Sequence, residues 1–158
     1  VTDTLATEVL ALARTAGVMI ATAESCTGGL VVGALTAIPG SSDVVDRGFV
    51  TYSNAAKREM LGVAADTLNA HGAVSEEVAA EMALGALSHS GAGLAVSITG
   101  IAGPGGSEFK PEGRVCFGIA RNGGTPRTET IEFGPLGRAE VRAASVQHAL
   151  ILLRDALI

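Results

Sequence analysis

Four neighbouring side chains, Glu24, Ser25, Cys26 and Thr27, set a carboxylate, a hydroxyl, a thiol and a second hydroxyl between two apolar runs. The runs, residues 18–23 and 27–38, read as a buried strand and a helix closed by Pro39-Gly40. Ser25 then falls on the strand-to-helix corner, where the first helical N–H groups lack acceptors and the helix dipole presents partial positive charge. A hydroxyl there could attack a carbonyl while neighbouring N–H groups hold the developing oxyanion. Gly28 and Gly29 would let a substrate approach the backbone closely. The same residues also spell a helix N-cap, the commoner use of Ser or Thr at such a place, and both readings stand at this point. Cys26 is the rival nucleophile, since helix N-termini lower thiol pKa values, but no His lies in a local motif to activate it.

A serine nucleophile needs a base. The stretch VTYSNAAKREML offers Tyr52 at a strand end, Ser53 or Asn54 as helix cap, and Lys57 at or just past the first helical turn. The helix dipole disfavours a cation there, and partial burial would lower its pKa further, towards an amine able to accept a proton. A solvated surface lysine is the plainer alternative. The Tyr-Lys pair of short-chain dehydrogenases is spaced one residue closer and accompanies an early glycine fingerprint that this chain lacks. A third polar stretch, SITGIAGPGGSEFKPEG, ends a strand with Thr99 and Gly100 and continues through Gly103 and Gly105. Such a turn can form a nest of N–H groups for an anion, or be only a turn; it is not a Walker A loop, because no Gly-Lys-Ser/Thr follows.

These stretches must be held by regular elements. Residues 4–16 carry helical apolar spacing and stop at Gly17, residues 46–52 read as a strand, and residues 53–62 as a helix. A long helix lies within 72–93 with Ser75 as cap and Glu76 and Glu77 in its first turn, followed by a buried strand at 94–99. RVCFGIA and RTETIEF flank RNGGTP as a hairpin, and an amphipathic helix runs from Gly137 to the end. Strands interleaved with helices, plus one hairpin, imply a three-layer α/β/α sandwich on a mixed central sheet.

Composition narrows the function. The 158 residues suit one domain with a sizeable core, and 47% are hydrophobic, yet no apolar run approaches the length that spans a bilayer. With no signal peptide discernible, a cytoplasmic protein is expected. Two cysteines and three scattered histidines make neither a disulfide framework nor a metal site, so no metal is expected. A net charge of −5, a pI near 5.1 and 3% aromatics argue against nucleic-acid binding. Ala/Gly-rich helices leave room for a homo-oligomer.

Taken together, TAESCTGGL, PGSSDVVDRGFVTYSNAAKREMLGV, GAVSEEVAAEMALGA, SITGIAGPGG and KPEGRV resemble, in order, the C-terminal domain family of the competence/damage-inducible protein CinA. Stand-alone members of that family include nicotinamide-nucleotide amidases. The N-terminal domain of two-domain members has no counterpart here, so a single amidase-type domain over residues 1–158 is expected. The resemblance implies Ser25 as nucleophile on the carboxamide of nicotinamide mononucleotide, releasing ammonia; water then cleaves the acyl-enzyme to nicotinic acid mononucleotide. It implies Lys57 as the base that returns the proton to the leaving amine, Tyr52 as relay or support for the lysine, and Thr99 as a substrate or oxyanion contact. Cys26, Thr27, Gly28 and Gly100 would flank the substrate, and no cofactor is needed. For the substrate phosphate the candidates are Arg138 and Arg142, four apart on one helix face, with the glycine turn at 103–106 as a second option; a solvated basic edge is the alternative. Glu24 is expected to accept backbone N–H bonds rather than act as an acid. Glu112 and Arg114 depart from the family's smaller or uncharged residues. A non-catalytic nucleotide-binding or interaction domain of the CinA type is the competing function.

Overall fold

A computed structural model describes residues 1–158. Five strands form one sheet in the order β2-β1-β3-β4-β5, with β1 (Ile20–Glu24), β2 (Val45–Val50) and β3 (Leu94–Gly100) parallel. β4 (Arg114–Arg121) and β5 (Arg127–Glu132) complete it antiparallel, so the mixed sheet and its hairpin are as the sequence implied. On one face lie α1 (Thr2–Ala16), α2 (Leu30–Thr36) and α6 (Arg138–Leu157). On the other lie α3 (Asn54–Leu61), α4 (Ala65–His71) and α5 (Glu76–Ser88).

The two faces differ in grain. Alternation along the strands sends Ile20, Leu94, Val96, Ile98, Val115 and Phe117 towards α1 and α6, a core of large side chains. The opposite face presents Ala21, Ala23, Ala95, Ser97 and Gly118, so α5 lies close against the strands. Ser97 Oγ donates to the Ala79 carbonyl of α5 at 2.6 Å, and a Cβ on Gly118 would stand 2.6 Å from that same oxygen. A Cβ on Gly85 of α5 would meet the Leu61 carbonyl at 2.0 Å, so only glycine permits this contact between α5 and α3. Small residues thus set the height of α3 above the sheet, and with it the position of Lys57.

Two sequence expectations shift. The strand at 18–23 runs instead from Ile20 to Glu24, and the helix expected at 27–38 begins only at Leu30. The residues between turn through Gly28 and Gly29, whose φ values of +56° and +102° lie in the left-handed region that glycine tolerates. The helix α4 was not foreseen: it opens on Ala64 with no side-chain cap and buries only Leu68.

Candidate active site

The parallel strands place the chemistry. β1 leads by way of α2 to β2 on one side of it, whereas β3 lies on its other side and is reached through the helices of the opposite face. The chain therefore diverges at the carboxyl ends of β1 and β3, the position at which open α/β sheets form a crevice. Ser25 directly follows β1, and Thr99 and Gly100 finish β3.

The Lys57 Nζ lies 3.1 Å from Ser25 Oγ. It also donates to the carbonyls of Thr51 at 3.1 Å and Tyr52 at 3.5 Å. Ser53 caps α3 by accepting from the Ala56 N–H at 3.0 Å, which starts the helix at Asn54 and turns Lys57 inward on its first turn. Lys57 is 1% exposed and has no carboxylate partner. Burial lowers its pKa from the ordinary lysine range, with the Cys26 sulfur and the Glu108 carboxylate pulling the other way. When neutral, the amine still satisfies all three neighbours, with two N–H groups for the two carbonyls and one lone pair for the serine hydroxyl.

Cys26 has the opposite character. It is buried, and desolvation pushes its thiol up to about 12, so it is not a thiolate at neutral pH. The lowering expected from a helix N-terminus does not occur, because α2 starts beyond Gly29 and its N–H groups are already taken. They belong to Glu24. This fully buried carboxylate accepts from the Thr27 hydroxyl at 2.5 Å and from the N–H groups of Gly29, Val31 and Val32 at 3.3, 2.9 and 3.0 Å. An anion at a helix N-terminus is a favourable pairing, here satisfied within the protein and turned away from Ser25. No backbone carbonyl accepts from the N–H of Cys26 or Thr27, the donors nearest Ser25 Oγ along the chain.

Ser25, Cys26, Tyr52, Lys57, Thr99, Gly100 and Arg138 line one cleft of about 230 Å³ together with Asn54, Ala73, Val74, Ile101, Ala102 and Glu108. Thr27, Gly28, Gly103, Gly105 and Arg142, expected from the sequence at the substrate, do not line it. Arg142 donates through Nε to the Cys26 carbonyl at 3.0 Å, and its guanidinium packs against Gly28. Arg138 lies one turn earlier and does something different: its two terminal nitrogens donate to the Gly103 carbonyl and the Tyr52 hydroxyl, both at 2.7 Å. The Thr99 hydroxyl donates to the Ala73 carbonyl at 2.8 Å, leaving its lone pairs towards the cleft.

Glu108 was not singled out from the sequence, and Asn54 was named there only as a possible helix cap. Asn54 follows the α3 cap, and Glu108 sits on the turn closed by Ser107 and Lys110, with φ of +51°. Only the crowding of polar residues after the glycine loop hinted at the second. No group of three or more His, Cys, Asp or Glu side chains converges as a metal site, and no helix is long and apolar enough to cross a membrane.

Known proteins resemble this chain in sequence and in fold. The family model for the CinA C-terminal domain matches residues 2–157. A CinA-like protein of Chlorobium phaeobacteroides is 61% identical over 120 residues, 74% of this chain, which spans only 29% of that relative's length. Nicotinamide-nucleotide amidohydrolase PncC of Enterobacter agglomerans is 50% identical over 154 residues, covering 97% of this chain and 92% of the relative. The crystal structure of a competence/damage inducible protein from Agrobacterium tumefaciens superposes with a TM-score of 0.94 at 51% identity, covering 99% of this chain and 94% of that one.

Proposed function

The chain belongs to the CinA C-terminal domain family, and from that premise we propose that it is an amidohydrolase converting nicotinamide mononucleotide to nicotinic acid mononucleotide and ammonia. The observation that carries the reading is the Ser25–Lys57 contact of 3.1 Å at the floor of a cleft.

In this mechanism the neutral Lys57 amine takes the Ser25 proton as Oγ attacks the carboxamide carbon. The N–H group of Cys26, which lines the cleft beside Ser25, stabilises the oxyanion. Thr99, whose own proton is committed to Ala73, accepts from the carboxamide NH2 and orients it. The tetrahedral intermediate collapses as the protonated Lys57 passes its proton to the leaving nitrogen, and ammonia departs. Water then attacks the ester carbonyl as Lys57 takes its proton, the acyl–Oγ bond breaks, Lys57 returns that proton to Ser25 Oγ, and the acid product leaves. The Thr51 and Tyr52 carbonyls anchor the amine throughout. The Tyr52 side chain points away to Arg138, so its part is at the cleft mouth, where both can meet the phosphate. The reaction belongs to pyridine nucleotide recycling in the cytoplasm.

Ammonia release from nicotinamide mononucleotide tests the reading. Ser25→Ala and Lys57→Met should each lose about a thousandfold or more in kcat with the fold retained. Full activity in Ser25→Ala removes the mechanism, and tight nucleotide binding without product in the unaltered protein favours the interaction-domain alternative.

A further inference from the structure

Glu112 stands outside the lining of the cleft and is not used by the mechanism. Its carboxylate nevertheless joins two separate parts of the chain. Oε1 accepts from the Gly105 N–H at 2.7 Å, and Oε2 accepts from the Gly137 N–H at 3.0 Å. Gly105 belongs to the glycine loop, and Gly137 is the residue on which α6 opens, directly before Arg138. The join is returned in the other direction, because Arg138 donates to the Gly103 carbonyl of that loop at 2.7 Å. Gly103 makes room for it: a Cβ there would stand 2.6 Å from the Glu112 carboxyl carbon.

The long arginine side chain is exposed at the cleft mouth, and its aim depends on where the first turn of α6 begins. A carboxylate that ties this start to the loop fixes both the root of Arg138 and one of its acceptors. We infer that Glu112 is a positioning residue for phosphate recognition, holding Arg138 so that its remaining N–H groups face an anionic group at the mouth. It thereby sets the preference for a phosphorylated pyridine amide over its unphosphorylated riboside. The inference rests on the nucleotide-amide reading above. The same geometry has a consequence of opposite sign if Glu112 acts as a plug: its carboxylate occupies two N–H groups that a phosphate could use, and removing it would then tighten nucleotide binding.

The experiment compares the unaltered protein with Glu112→Ala and Glu112→Gln, measuring ammonia release from nicotinamide mononucleotide and from its riboside. The riboside is also read as a competitive inhibitor. In Glu112→Ala, KM for the nucleotide should rise about tenfold with kcat changed less than about twofold, and riboside values should hold. Glu112→Gln, which keeps the shape and one acceptor, should fall between. An equal loss for both ligands is the mark of a merely structural role and overturns the inference, as does a lower KM for the nucleotide. Activity of the unaltered protein with an unchanged nucleotide-to-riboside ratio in both variants overturns it while leaving the amidase reading intact. Absence of turnover in the unaltered protein removes that reading and the inference with it.

Discussion

Glu24 and Ser25 are adjacent in the chain and serve opposite sides of it: the carboxylate of Glu24 closes the N-terminus of α2, and the hydroxyl of Ser25 meets Lys57 across the cleft. The alternation of side chains at a strand end separates the two tasks. The anion that might have repelled an oxyanion is thereby bound by four donors and turned away from it.

Replacing Glu24 by Gln should therefore be costly without touching the chemistry directly. The amide puts an N–H where α2 presents N–H groups, leaving buried donors unmatched at a cost of about 2–3 kcal/mol. For a domain of this size that is a fall of roughly 5–10 °C in melting temperature, measurable by circular dichroism. An unchanged melting temperature would contradict the capping role.

The pH profile should report Lys57. The proposed mechanism needs the neutral amine, so kcat/KM should rise with pH and level off below the ordinary lysine value of about 10.4. Glu108 holds that pKa up, so Glu108→Gln should move the rising limb to lower pH. The linkage sign follows from the depressed pKa of a base. Between the folded and unfolded values the unfolded chain binds more protons, so stability increases with pH across that window. Lys57→Met should abolish this part of the dependence, as denaturant titrations over a pH series would reveal.

Cys26 offers a sharp contrast. With its thiol near 12, on the order of 1 in 10⁴ is ionised at pH 8. Cys26→Ser should keep activity within about threefold, and iodoacetamide should label the native protein far more slowly than the denatured one. Rapid native labelling coupled to inactivation would restore the thiol as a candidate nucleophile.

Gly85→Ala probes the positioning of Lys57 from a distance. The new methyl would strike the Leu61 carbonyl and push α3 outward, costing about 3 kcal/mol. Because α3 carries Lys57, kcat should fall as well, even at temperatures where the variant is fully folded.

The strands, the hairpin and α5 were legible because short apolar runs, Asn122-Gly123 and the Ser75 cap each carry a local signal. The grouping of Ser25 with Lys57 could be read only through the resemblance of several stretches together, since 32 residues separate the pair. What stayed hidden was decided by partners far along the chain. Arg138 and Arg142 share a helix face, yet one reaches Tyr52 and Gly103 and the other Cys26, a division that four-residue spacing cannot express. The late start of α2 depended on Glu24 turning back to collect its N–H groups. Glu112 showed in the sequence only as a departure from the family pattern, because the N–H groups its carboxylate accepts from lie 7 and 25 residues away.

The alanine and glycine face beneath α5 has one more effect. A helix seated directly on peptide groups has no cushion of large side chains on which to roll, and Ala73 and Val74, just before its first turn, form part of the cleft wall. That wall is tied to the strands by the same close seat. On the amidase proposal, the receptacle is ready-made, and selection among amides would be exercised by its shape at the moment of entry rather than by a later embrace.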